Sequence, residues 1–212
     1  DFESYDLCEE YIREAISIGE GDEGTVEVFQ NLEDVLKEDY RHPIPTGIDG
    51  IDNLLNGGLA KGELGVILAP TGVGKTTILT RFANTAFNMG YNVLQIFFED
   101  NPKIIQRKHF TCWTGIEPQK LSEHKEKVLS KADEMKTNGG KLILKKLASD
   151  EFTIAQIKNQ IRKITAEGTT LDIVVLDYID CVIPDRSYND EWKGEGSVMR
   201  KFEGMCHELN LV

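Results

Sequence analysis

The sequence predicts an α/β domain, a mostly parallel sheet flanked by helices. Three observations carry that reading. Helix-like and strand-like segments alternate from about Thr46 onward. The strand-like runs are almost continuously apolar, the pattern of parallel strands buried on both faces. And the chemistry-bearing motifs all fall where those strands end, which is where ligands of parallel sheets bind.

The elements follow in order. Residues 6–17 carry Leu7, Tyr11 and Ala15 on one stripe beside Cys8, Ile12 and Ile16, an amphipathic helix. GEGDEG, residues 19–24, spells a dinucleotide-type glycine pattern. It follows a helix rather than a strand, and Asp22 and Glu23 would repel a pyrophosphate, so it reads as an acidic turn. A second short helix is expected over 31–38, and Pro43 and Pro45 mark a boundary. The chain therefore divides into an acidic N-terminal arm, 1–42, and a core, 43–212.

In the core, TGIDGIDNLL predicts a short helix with Ile48, Ile51, Leu54 and Leu55 inward, closed by Gly57-Gly58. Residues 64–69 read as a buried strand and 76–89 as a helix. A second strand spans 92–98. Asn101-Pro102 starts a helix, Asn as cap and Pro in the first turn. Residues 117–136 predict another helix and 141–147 a strand. Thr153 and Gln156 are spaced for a capping box before a helix with Ile154, Ile157, Ile161 and Ile164 inward. Residues 171–176 form an apolar strand ending in Asp177, and a last helix is expected over 195–209.

Charge separates the two parts. The net charge is −12, and residues 1–39 alone hold 14 acids and 2 bases. The core is thus neutral, and its partners are not restricted by charge. The arm is no grip for nucleic acid. No apolar run approaches the ~18 residues of a membrane span, and no secretory leader is visible, so no membrane partner and a cytoplasmic location are expected. The chain begins with Asp1 and reads as a fragment. Its four cysteines are widely spaced, without a metal or disulfide pattern, and are expected as buried thiols.

ILAPTGVGKTT carries the chemistry most clearly. A loop of Pro70, Thr71, Gly72, Val73 and Gly74 between a strand and a helix offers backbone N–H groups to phosphate. Lys75 would reach the terminal phosphates and the Thr76 hydroxyl would ligate Mg²⁺, with Thr77 continuing the loop into the helix. Asp177 ends an apolar strand, where a carboxylate is costly unless it serves a metal site. One of Glu99 and Asp100 should polarise an attacking water; the residues alone do not choose between them.

With these motifs in hand, the core resembles the RecA-like ATPase domain of DnaB-type hexameric replicative helicases, phage forms included. The resemblance runs from about Pro45 to Val212 through TGIDGIDNLL, A-x-x-x-x-G-K-T, FFED, an Arg107-bearing helix, FTIAQIKNQIRK and IVVLDYID. Ala69 replaces the first glycine of the usual phosphate-loop pattern, as is common in that family, and Asp177-Tyr178 is similar to its DYLQ. Phe97 stands where the family's S-L-E motif has Ser, and Asp180 where DYLQ has Gln.

The resemblance implies a RecA-like P-loop ATPase using ATP and Mg²⁺. It makes Lys75 and Thr76 phosphate and metal residues, Asp177 the second metal-site acid and Glu99 the catalytic base. It also implies a homo-hexamer moving on single-stranded DNA, a primase as a possible partner, and a linker helix in the arm. The family's γ-phosphate sensor, DNA-gripping loops and arginine finger are expected beyond residue 212. The basic residues Arg186, Lys193, Arg200 and Lys201 read as a solvated face. FFED is also similar to the motif of KaiC-like ATPases. A recombinase or regulatory ATPase therefore stands as the alternative, and a nucleotide-gated oligomerisation module as a third reading.

Overall fold

The computed structural model describes residues 28–29, 32–37, 41–137, 139–149, 151–188 and 190–212. The chain divides into two units, 1–40 and 41–212. In the first, the short helix expected over 31–38 is α1 (Leu32–Lys37). The helix expected over 6–17 and the acidic turn lie outside the described residues.

The second unit is built on a parallel sheet. Its elements are α2 (Asp49–Leu54), α3 (Lys75–Asn88), β1 (Val93–Phe97), α4 (Pro102–Thr114), α5 (Lys125–Lys136), β2 (Leu142–Lys146), α6 (Ile154–Ala166), β3 (Ile173–Asp177) and α7 (Glu191–Glu208). The strand order is β2-β1-β3, with both pairings parallel. All five residues of β1 are buried, as a central parallel strand requires.

Alternation along β1 divides the core in two. Leu94 and Ile96 join Ile157 and Ile161 of α6 and Val198, Phe202 and Met205 of α7 on one face. On the other, Val93 meets Ala83, Ala86 and Phe87 of α3, with Ile173 and Val175 of β3. Truncating a side chain such as Ile157 at this depth costs about 2–5 kcal/mol.

The local signals act as their chemistry dictates. The Asn101 side chain accepts from the Lys103 N–H at 2.9 Å, capping α4. The capping box of α6 is complete: Gln156 N–H donates to Thr153 Oγ1 at 3.3 Å and Thr153 N–H to Gln156 Oε1 at 2.9 Å. The segment expected as one helix over 117–136 divides into a 3₁₀ turn, Pro118–Lys120, and α5. Cys181 and Cys206 are buried free thiols and Cys112 is half-buried.

The TGIDGID turn is held by Asp52. Its carboxylate accepts from the Thr46 N–H and hydroxyl, both at 2.7 Å, and from the Gly47 N–H at 3.0 Å. Desolvation works against ionisation there, but these donors hold the carboxyl below its usual range. Gly47 sits at φ +78°, and a Cβ would lie 2.2 Å from Thr85 Oγ1, so glycine is required. Before the turn, Arg41 spans Glu63 (2.8 Å from both Nε and Nη2) and the carbonyls of Leu55 and Gly58.

Two expectations fail in this region. Leu54 is 85 % exposed rather than inward. The turn after α2 places Asn56, not a glycine, in the left-handed conformation, while Gly57 N–H donates back to the Asp52 carbonyl at 2.7 Å.

The strand expected over 64–69 does not form either, and Val66 and Leu68 are 61 % and 97 % exposed. Apolar residues alone do not make a strand; the backbone needs a ladder partner. One edge of β3 is taken by β1. On the other, Val174 N–H donates to the Val212 carbonyl at 2.8 Å and Val212 N–H to the Asp172 carbonyl at 3.0 Å. A cavity of about 260 Å³, lined by Leu64, Val66, Leu68, Val175 and Val212, lies between the 64–69 segment and β3.

Candidate active site

The phosphate-type loop follows the 64–69 segment and enters α3 directly. Gly72 and Gly74 take φ +84° and +102°, conformations a side chain would strain. Nothing caps the start of α3 through a side chain, and no acidic residue lies in its first turn. The positive end of the helix dipole is thus uncompensated by carboxylates of its own, which suits an anion. Pro70, Thr71, Gly72, Val73 and Thr77 are exposed, and Gly74, Lys75 and Thr76 half-buried.

Lys75 lies within this loop, its Nζ donating to the Ala69 carbonyl at 2.9 Å. The same Nζ stands 5.6 Å from the centroid of the Tyr178 ring. A neutral carbonyl and a ring face are both weak partners for an ammonium.

Strand register brings the acids to the loop. Phe97 of β1 pairs with Asp177 of β3, so Glu99 and Asp100 leave the sheet beside Asp177. Asp177 is 8 % exposed. Burial raises its carboxyl above the usual range, with Asp100 and Glu99 adding to the rise; the Thr76 hydroxyl and the charge of Lys108 oppose it. Thr76 and Asp177, separated by a hundred residues in the chain, are thus hydrogen-bonded to one another.

Glu99 is exposed, and its Oε1 accepts from the Tyr178 hydroxyl at 3.0 Å. The Tyr178 phenol is pushed up, foremost by its hydrogen bond with Cys181 and then by Glu99. Asp100 is ion-paired with Lys108 of α4 at 2.8 Å. This separates the two adjacent acids: Asp100 is engaged by a cation, while Glu99 meets a neutral hydroxyl.

Sequence reasoning missed Lys108 and the hydroxyl of Tyr178. Lys108 was legible as a residue two helical turns beyond the Asn101 cap, on the helix that leaves the Glu99-Asp100 corner. The neighbouring Arg107 points elsewhere, donating to the Pro118 carbonyl. The basic residues near the C-terminal end are engaged locally: Lys193 with Asp190 at 2.6 Å, Lys201 with Asp185, and Arg186 with Tyr188.

The residues present fit a nucleotide and its divalent ion. The loop glycines leave backbone amides open to an anion, and the Thr76–Asp177 pair is a hydroxyl and a carboxylate of the kind that hard cations take. A phosphate loop on the end of a parallel sheet, with acids at the ends of two adjacent strands, defines a P-loop nucleotide-hydrolase fold of the RecA-like class.

The comparisons narrow the class. Residues 43–212 match the family described as DnaB-like helicase C terminal domain. The chain belongs to that family, whose members are ATP-hydrolysing replicative helicases. Among solved structures, an isolated ATPase domain superposes with a TM-score of 0.69 at 18 % identity, over 85 % of this chain and 65 % of that one. A DnaB-like replicative helicase whose interactions with primase were characterised gives 0.72 at 18 %, over 96 % and 51 %. At that identity the likeness is one of fold.

More distant in function are two repair proteins. The DNA repair protein RadA of Mycobacterium tuberculosis is 32 % identical over 77 residues, 35 % of this chain and 16 % of that protein. The DNA repair and recombination protein RadB of Methanobrevibacter smithii is 36 % identical over 94 residues, 38 % of this chain and 37 % of that protein. The chain thus spans well under half the length of these curated relatives. Among the described residues no helix is long and apolar enough to cross a membrane.

Proposed function

We propose that this chain is the ATPase core of an ATP-dependent replicative DNA helicase, a ring-forming motor coupling ATP hydrolysis to movement on single-stranded DNA. The observation that carries the reading is the hydrogen bond between Thr76 of the phosphate loop and the buried Asp177, beside an exposed glutamate, in a chain of the DnaB-like family.

The roles follow from the geometry. Pro70, Thr71, Gly72, Val73, Gly74 and Thr77 form the cradle, whose amides and helix terminus hold the β- and γ-phosphates of ATP. Lys75 turns from the Ala69 carbonyl to the phosphates, a stronger, charge-assisted partner. Thr76 holds Mg²⁺, with Asp177 placed behind it. Bound Mg²⁺ supplies charge neutralisation at the transferring phosphoryl group. Glu99, the acid not engaged by a lysine, accepts a proton from the attacking water; Asp100 anchors Lys108 instead.

The assembly is read the same way. Residues 43–212 are the motor core and 1–42 an arm. The functional unit is a homo-hexamer, with single-stranded DNA as its track, primase as a candidate partner and the cytoplasm of a bacterium or a phage-infected host as its location. The similarity to RadA and RadB supports a second reading, a recombinase or regulatory ATPase of the same fold.

Steady-state ATP hydrolysis by the full-length protein, with and without single-stranded DNA, tests the proposal beside Glu99→Gln. DNA-stimulated turnover lost in the variant, together with unwinding of a forked duplex, is expected. Filaments in place of rings, with strand exchange and no unwinding, would move the assignment to the recombinase reading. Turnover unchanged by Glu99→Gln would remove the hydrolytic centre from this site.

A further inference from the structure

Tyr178 joins two groups that the proposed reaction needs in fixed relation. Its hydroxyl donates to Glu99 Oε1 at 3.0 Å, and its ring lies 5.6 Å from Lys75 Nζ. It directly follows Asp177, the last residue of β3. A rigid aromatic side chain on the sheet's own frame therefore contacts both the glutamate and the phosphate-loop lysine.

Glu99 needs such a contact. It lies beyond the end of β1 and ahead of α4, in no regular element, and it is exposed. A glutamate there has several rotatable bonds, and ordering a side chain of this kind costs on the order of 1–2 kcal/mol. Its neighbour Asp100 is fixed by Lys108; among the described residues no ion pair does the same for Glu99. A cation would hold the carboxylate too, but would also suppress its basicity. A neutral phenol restrains one oxygen at lower cost and leaves the other able to accept a proton.

We propose that Tyr178 is a positioning residue for Glu99, restraining its carboxylate relative to the phosphate loop so that it meets the attacking water in one orientation. The inference rests on the hydrolase reading above. It assigns Tyr178 no contact with substrate. Its effect passes through Glu99, so it belongs in kcat and not in nucleotide affinity.

Tyr178→Phe removes the hydroxyl and keeps the ring over Lys75. In the full-length protein it is expected to lower kcat about 10-fold, a fraction of the 10²–10⁴ that a positioned general base contributes. KM for ATP, affinity for a fluorescent non-hydrolysable ATP analogue and the melting temperature should stay within twofold or a degree of the parent. In a Glu99→Gln background the same substitution should have little further effect on residual single-turnover hydrolysis, because the two losses share one interaction.

Turnover by Tyr178→Phe that equals or exceeds the parent overturns the proposal. So does an equal loss in both backgrounds, or a loss that appears in analogue affinity instead of kcat. Wild-type protein without ATPase activity, or an active Glu99→Gln, would instead sink the hydrolase reading. An inactive Glu99→Gln beside an unimpaired Tyr178→Phe would leave that reading intact and reject this one alone.

Discussion

Lys75 Nζ donates to the carbonyl oxygen of Ala69, six residues back, at 2.9 Å. The lysine thereby closes the loop on itself. A neutral carbonyl is a weak competitor for an ammonium, so the lysine can be drawn away at little cost. Lys75→Ala should lower the affinity for an ATP analogue by at least 10-fold, the loss of one charge-assisted contact at ~1.5–3 kcal/mol. The melting temperature should change little. Titration of a fluorescent analogue checks this; undiminished affinity would mean that phosphate is held elsewhere.

Asp177 is placed for function at a cost in stability. Burial and two neighbouring acids raise its carboxyl above the usual range, so its ionised form at neutral pH is disfavoured by folding. Asp177→Asn should therefore raise the melting temperature in the absence of nucleotide and Mg²⁺, by about 2–4 °C for each kcal/mol relieved in a chain of this size. Mg²⁺-dependent tightening of nucleotide binding should be lost. Calorimetry with and without Mg²⁺ separates the two effects; a lower melting temperature would show the carboxylate to be stabilising.

His109 gives the core a pH dependence. It is 2 % exposed, its Nε2 stands 3.0 Å from Gln95 Oε1, and burial pushes its imidazole down to about 4 from 6.5. Below pH 6.5 the unfolded chain binds a proton that the folded chain refuses until about pH 4. Stability should therefore fall as pH drops through that window, by on the order of a few kcal/mol. His109→Gln retains a donor for Gln95 and cannot titrate, so its urea midpoint should fall less between pH 7 and 4.5. Parallel midpoint curves for parent and variant would exclude His109 as the cause.

A second pH signature belongs to the Arg41–Glu63 fork. The Arg41 side-chain hydrogen bond, with the Ala60 N–H, lowers the Glu63 carboxyl to about 2 from 4.5. Its contribution is present above pH 4.5 and is lost as pH falls toward 2. Both side chains are about a third exposed (34 % and 39 %), so solvent screening keeps the effect small. Arg41→Ala should lower the melting temperature modestly at pH 7, and the difference from the parent should shrink by pH 3. A constant difference would assign Arg41's role to the Leu55 and Gly58 carbonyls alone.

The legible parts of the fold were those fixed locally. The Asn101 cap, the Thr153–Gln156 box and the apolar runs of β1 and β3 each specify an element from adjacent residues, and each is found in place. The 64–69 segment looks equally apolar in sequence, yet pairing depends on what lies beside it, which no local pattern records. At the site, the glycine spacing and the strand-end acids were readable. The choice between Glu99 and Asp100 came only from resemblance, because it turns on Lys108 and Tyr178. Both reach the corner from elements separate from the one they serve.

The pairing of Phe97 with Asp177 makes the sheet a ruler for the chemistry. One step of slippage between β1 and β3 would carry Glu99 about 3.3 Å along the sheet and turn the strand's side chains to the opposite face. Val93, Leu94 and Ile96, wholly buried at the other end of that ruler, meet neither loop nor acid. They nonetheless set the distance between them. Mutations that loosen this packing should thus blur the alignment of the reacting groups before they unfold the chain.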